Sequence, residues 1–190
     1  TGQTLICGMG ELHLEIIKDR LFREFKVQAN AGRPTVAYRE SIEGAGEAAH
    51  VFEREIAGRG HFAEVAVAVS PLERGAGNRI EIEAAKEQVP PEFRESLTQG
   101  LKDGLATGVL ANFPMADVLV RVTGGRSHPV DSSEAAFHAA GAMALRDACR
   151  AAGAMLLEPI MALEIIAPEE SMGDVMGDIN GRRGQVRDMM

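Results

Sequence analysis

A chain of 190 residues that is 45% hydrophobic is long enough to bury a real core in one or two domains. No apolar run approaches the roughly 18 residues of a membrane span and no charged-then-apolar leader opens the chain, so membrane and secreted classes are set aside and a cytoplasmic home is expected. Net charge is -8, with 28 acidic against 20 basic side chains, which argues against broad duplex binding because that needs a continuous basic face. Cys7 and Cys149 are the only cysteines, and buried free thiols are expected of them rather than a disulfide or a metal pair.

Residues 10–25 carry Leu14, Ile17, Leu21 and Phe25 at spacings of three, four and four, which places them on one face of a helix. His13 on that helix reads as a surface residue. Ala31-Gly32-Arg33-Pro34 punctuates the chain and marks a first boundary. Strands are then expected over 36–41, 49–56 and 61–70, the last with Val65, Val67 and Val69 on one face and small Ala66 and Ala68 on the other. A loop over 71–78 precedes a further strand over 79–84. Pro90-Pro91 opens a helix in which Phe93, Leu97, Leu101 and Leu105 recur at every fourth position, and Gly108 ends it.

Residues 115–122 alternate Val118, Val120 and Val122 with Asp117, Leu119 and Arg121, the period-two pattern of a strand with two unlike faces. Gly124-Gly125 is expected to break it. Asp131 and Glu134 stand at capping-box spacing, so a helix is expected from Ser132 to about Ala152, with Phe137, Gly141, Ala144, Leu145 and Ala148 on one side. A second boundary falls near Ala154, followed by a strand over 157–166, a helix opened by Pro168-Glu169-Glu170, and a strand over 184–188. This order of elements reads as a two-layer α+β domain.

Two short stretches carry the candidate chemistry. Gly58-Arg59-Gly60-His61 and Gly124-Gly125-Arg126-Ser127-His128 each combine glycine, arginine and histidine, and each sits at a strand end. Together they would form one cationic tip in which arginine and imidazole meet phosphates and the glycines admit close backbone approach. The alternative is a pair of solvated turns. His128, Asp131, Ser132 and Ser133 also raise the possibility of a hydrolase triad, against which stands their fit to helix capping. The chain holds no Gly-x-x-x-x-Gly-Lys-Ser/Thr, no zinc-ligand spacing, and no dinucleotide fingerprint around Gly8-Met9-Gly10.

Gly8-Met9-Gly10-Glu11-Leu12-His13-Leu14-Glu15, Gly58-Arg59-Gly60, the run from His128 to Glu134, Leu157-Glu158-Pro159-Ile160-Met161, Met172-Gly173-Asp174-Val175 and Arg182-Arg183-Gly184-Gln185 in this order resemble bacterial elongation factor G along the whole chain. The resemblance implies a C-terminal piece of a translational GTPase: residues 1–34 the end of domain III, 35–154 domain IV, and 155–190 the first half of domain V. It implies a ribosomal-protein-S5-domain-2-like fold with a left-handed βαβ crossover, flanked by partial ferredoxin-like domains. It also implies ribosome binding, with the tip contacting rRNA, tRNA and mRNA at the decoding region during GTP-dependent translocation. The tip residues carried over are Gly58, Arg59, Gly60, His61, Gly125, Arg126, Ser127, His128, Asp131, Ser132 and Ser133. No catalytic residue, metal or cofactor is expected here, since GTP and Mg belong to the absent GTP-binding domain. Neither DNA nor membrane is an expected partner. The parent is expected to be monomeric, and the piece to associate through the apolar faces at its two ends.

His61 and Phe62 stand where the family commonly has Gln and Tyr. Pro129 follows His128 where an acidic residue is common, and Gly124-Gly125-Arg126 replaces an aspartate-glycine. A ribosome-recycling or elongation-factor-G-like paralogue is therefore the alternative within the family.

Overall fold

The computed structural model describes residues 3–56 and 58–189, divided between two compact units, Thr1–Pro159 and Ile160–Met190. In the first unit α1 (Glu11–Arg23) half-buries Leu14, Ile17 and Leu21 on one side, as their spacing predicts, whereas Phe25, expected on the same face, lies beyond the end of the helix and is exposed. There follow β1 (Arg39–Ile42), β2 (Gly46–Ile56), β3 (Arg59–Pro71), β4 (Arg79–Ile82), α2 (Pro91–Thr107), β5 (Val118–Arg126), α3 (Glu134–Ala151) and β6 (Ala154–Leu157).

Four strands form one sheet in the order β2-β3-β5-β4, and β1 pairs with β6 in a separate two-stranded sheet. The β2-β3 and β3-β5 pairs are antiparallel, whereas β4 lies parallel to β5 and is joined to it through α2. That βαβ unit needs a crossover, which α2 supplies. α3 packs on β2 and β3, and α2 packs on α3. The core between the layers is built by the valines of β3 and β5 (Val65, Val67, Val69, Val118, Val120 and Val122), which are all buried. Leu97 and Leu101 meet them from α2, and Phe137 and Leu145 from α3. Ala136, Ala140, Ala144 and Ala148 are also buried, and their small side chains let α3 lie close to the sheet. Phe93 stacks on Phe137 at 4.8 Å between ring centres. The expected two-layer α+β domain is the one observed.

Polar anchors fix the start of β5. The Asp117 carboxylate accepts hydrogen bonds from the Gly75 and Gly77 amides at 3.1 and 2.9 Å, and these two donors hold its carboxyl below the usual carboxylate range. Asn78 completes the join, accepting from the Val118 amide and donating to the Met115 carbonyl.

Several local expectations are corrected by tertiary context. Gly124 and Gly125 do not end the strand: β5 continues to Arg126, with Gly124 opposite Ala66 and Gly125 opposite Val65. The register shifts between Ala66 and Val67, leaving Thr123 as the extra residue of a bulge. A Cβ on Gly125 would come within 2.6 Å of the Glu64 carbonyl oxygen, so glycine here serves close strand approach rather than a turn.

β3 begins at Arg59, so the expected interruption shrinks to a turn containing Gly58. Ala57 lies outside the described residues. At the start of α3 the cap is Ser133, whose hydroxyl accepts from the Ala136 amide at 3.2 Å. Asp131 stands two residues too early for the expected capping box. The strand expected over 157–166 is instead β6, ending at Leu157, because β1 offers only four residues of ladder from Ile42 to Arg39.

Cys149 is buried as expected, and burial, with the nearby Glu40 charge, pushes its thiol up to about 12. Cys7 is exposed, because it lies in an irregular segment outside the core. In the second unit a 3-10 turn (Glu169–Ser171) leads into α4 (Met172–Gly181) behind Pro168. No strand forms over 184–188, and among the described residues no partner strand is present for it.

Candidate functional site

The β3-β5 pairing brings the two Gly-Arg-His stretches to one end of the sheet. Gly58 turns the chain, Arg59, Gly60 and His61 open β3, and Gly125 and Arg126 close β5. Ser127 and His128 lead from β5 into the turn before α3, which Asp131 and Ser132 complete. The second stretch is then tied to the first through backbone. The Phe62 amide donates to the Asp131 carbonyl at 2.8 Å, and Phe62 and Ser132 form an isolated parallel bridge. Gly60 lies against Asp131, where a Cβ would meet the carboxyl carbon at 2.8 Å, so a larger residue would displace the Asp131 carboxylate from its place beside His128.

Side chains complete the closure. The Ser132 hydroxyl donates to the Phe62 carbonyl at 3.0 Å and accepts from the His128 amide at 2.8 Å. His61 Nδ1 and Ser133 Oγ are 2.7 Å apart, linking β3 to the N-terminus of α3. The His128 ring stands edge-on to the Phe62 ring at 6.3 Å.

His128 is presented with one nitrogen engaged. Its Nδ1 accepts from the Asp131 amide at 3.1 Å and lies 3.0 Å from the Asp131 carboxylate. Accepting from the backbone requires a lone pair on Nδ1, which puts the proton of the neutral ring on Nε2. In the protonated ring Nδ1–H donates to Asp131 and Nε2 keeps its proton. In both of these states the half-exposed ring presents an Nε2–H donor suited to a phosphate or ribose oxygen, whereas the neutral tautomer that donates Nδ1–H to the Asp131 carboxylate presents Nε2 as an acceptor.

The tip is less cationic than its sequence. Arg126 stands opposite Glu64 in the ladder, and its Nε pairs with the Glu64 carboxylate at 3.0 Å. Its guanidinium also lies over the Phe62 ring at 5.3 Å. Glu53 and Glu55 on β2 pair in register with Phe62 and Gly60, adding acidic groups on the face that carries Phe62 and Glu64, while Arg54 stands opposite His61 on the other face. Phe62, Glu64 and Val130 thus belong to the tip although the sequence reading left them out of the site. Phe62 and Glu64 follow Gly58-Arg59-Gly60 on one face of β3, a signal the strand alternation already carried. Val130 is 83% exposed, and an apolar residue between two loop anchors was the signal for it.

A hydrolase arrangement is not assembled. The Ser132 hydroxyl proton goes to the Phe62 carbonyl, and its oxygen meets the His128 backbone. Ser133 does meet a histidine, but as the helix cap it already accepts the Ala136 amide. Among the described residues no carboxylate orients His61, so nucleophile, base and orienter do not line up. The described residues also hold no group of three or more His, Cys, Asp or Glu placed to bind a metal, and no helix among them is long and apolar enough to cross a membrane.

Comparison with known proteins accounts for nearly every residue. Residues 34–153 match elongation factor G, domain IV, residues 1–33 match elongation factor G, domain III, and residues 155–190 match the elongation factor G C-terminus. A crystal structure of a protein from Thermus thermophilus is similar at 34% sequence identity with a TM-score of 0.79. The similarity covers 96% of this chain and 27% of that one, so this chain spans about a quarter of the relative's length. Matched across domain III, domain IV and C-terminal segments, the chain belongs to the elongation factor G family.

Proposed function

We propose that this chain is a ribosome-binding part of an elongation factor G whose whole protein promotes GTP-dependent movement of tRNA and mRNA. The observation that carries the reading is the closed tip at one end of the domain IV sheet, where His128, Arg126, His61 and Arg59 gather on a chain of net charge -8. Local positive and imidazole groups on an acidic body suit a contact confined to a few phosphates and riboses. The tip acts by occupying space at the decoding region and gripping RNA there, and no bond is made or broken in it. The protein works in the cytoplasm with rRNA, tRNA and mRNA as its partners.

The assignment of residues 1–34, 35–154 and 155–190 to the end of domain III, domain IV and the first half of domain V is part of this reading. The matched families occupy the chain and leave no room for a nucleotide-binding domain. Titration calorimetry with GTP and GDP is expected to show no saturable heat, and micromolar binding would overturn the domain assignment. The reading itself is tested by binding of the fluorescently labelled chain to small ribosomal subunits carrying mRNA and tRNA. Saturable binding that weakens with rising salt is expected, and a flat titration would overturn it.

The departures at His61, Phe62, Pro129 and Gly124-Gly125-Arg126 favour a second reading, a recycling or otherwise specialised paralogue. Subunit splitting rather than translocation by the full-length factor would select it.

A further inference from the structure

The turn between β5 and α3 is unusually constrained for a surface loop, and it exposes an apolar side chain. His128 and Ser132 close it on themselves: the His128 amide donates to Ser132 Oγ at 2.8 Å, and the Ser132 amide donates to the His128 carbonyl at 3.3 Å. The Asp131 and Val130 amides donate to His128 Nδ1 at 3.1 and 3.4 Å. Phe62 fastens the same turn to β3 through the Asp131 carbonyl and the Ser132 hydroxyl. Pro129 removes one backbone rotation. Between these anchors stands Val130, 83% exposed, with no polar function of its own.

Ordering a loop costs conformational entropy, and this loop spends its hydrogen bonds on presenting one β-branched side chain to solvent. Exposed valines are common singly. A rigidly presented one, in the same loop as His128 and shortly after Arg126 in the chain, is placed to use its apolar surface on whatever those groups bind. The surroundings name the chemistry. Arginine and imidazole address phosphate and ribose oxygens, and the apolar surfaces lying beside such oxygens in RNA are the sugar and base faces.

We propose that Val130 is a direct contact residue of the tip, a rigid apolar wedge that packs against ribose or base faces of RNA while His128 and Arg126 hold adjoining polar groups. This deepens the ribosome-binding reading and rests on it. The wedge gains by excluding water from apolar surface, so its contribution is nearly independent of salt, unlike that of Arg126.

The test measures binding of the 190-residue chain to small ribosomal subunits carrying mRNA and tRNA, over a series of salt concentrations, for the unsubstituted chain and for Val130→Ser, Val130→Ile and Arg126→Gln. Val130→Ser is expected to weaken binding about fivefold to tenfold at every salt concentration with an unchanged slope. Val130→Ile should bind within about twofold of the unsubstituted chain, since shape and apolarity are kept. Arg126→Gln should flatten the slope by about one counterion. Melting curves check that Val130→Ser, at an exposed site, leaves the fold intact. Equal binding of Val130→Ser and the unsubstituted chain, alongside weakening by Arg126→Gln, would overturn the wedge alone. Absence of binding by the unsubstituted chain would overturn the ribosome reading and the wedge with it.

Discussion

His128→Ala in a full-length elongation factor carrying this chain is expected to slow movement of tRNA and mRNA about tenfold to hundredfold, with ribosome-stimulated GTP hydrolysis nearly unchanged. A hydrogen bond to a charged acceptor is worth about 1.5–3 kcal/mol, and that range converts to the stated factor if the bond is fully expressed in the transition state. The structure supplies the reason for an effect this size. Nδ1 is engaged by Asp131 through its amide and its carboxylate, so the ring and its Nε2 are oriented before a ligand arrives and little entropy remains to be lost. Pro129 adds to this by restricting the backbone of His128. Single-turnover translocation and phosphate release measured on the same variant separate the outcomes. Equal slowing of both would assign His128 to docking or folding, and no slowing of either would leave the solvated-turn alternative standing.

The second large effect concerns stability. Glu40→Ala is expected to cost about 2–3 kcal/mol, a large part of the roughly 5–15 kcal/mol typical of a whole domain. The Glu40 side chain is fully buried, yet among the described residues no cation pairs with it. Its two oxygens instead accept from the amides of Val109, Leu110, Ala111 and Phe113 at 2.5–3.1 Å, closing the segment that follows α2. Removing the carboxylate leaves four donors unsatisfied at once. Glu40→Gln should recover only part of the loss, because one accepting oxygen becomes an NH2 facing amide donors.

The same geometry sets a pH dependence. Burial pushes the Glu40 carboxyl up, but the four amide donors outweigh it and hold the group below its ordinary value. A depressed folded-state value means the stabilisation is fully present above the unfolded-state pKa, about 4.3. It is lost as the pH falls below that value and through the folded one. Urea unfolding at pH 7 and at about pH 3.5 checks both claims. A loss under about 1 kcal/mol for Glu40→Ala at pH 7 would show that water replaces the carboxylate at little cost. A gap between Glu40→Ala and the unsubstituted chain that fails to narrow in acid would refute the titration argument.

Much of this protein follows from local pattern. The valines of β3 and β5, alternating with a period of two, chose their own buried face, because a pleated strand sends successive side chains to opposite sides. The four-residue recurrence of Phe93, Leu97, Leu101 and Leu105, and the small residues of α3, likewise identified both helices and the sides they bury. The motif string from Gly8 to Gln185 carried the family, and the Gly-Arg-His content of two stretches singled out the tip.

What local pattern missed depended in each case on a distant partner. Gly124 and Gly125 read as a strand end because glycine favours turns. They stay in the strand because the Glu64 carbonyl comes so close to Gly125 that only glycine fits. The strand after Gly153 is short because β1 is short, and Cys7 is exposed because its segment lies outside the core. The tip's mixed charge is likewise non-local: Arg126 meets Glu64 through ladder register, across a long stretch of intervening chain. Composition and periodicity determined which elements form and which faces they bury, since those depend on neighbours within a turn or a pleat. Only the tertiary structure decided which loop closes on which, because a hydrogen bond such as that from the Phe62 amide to the Asp131 carbonyl exists only after two remote segments have been packed side by side.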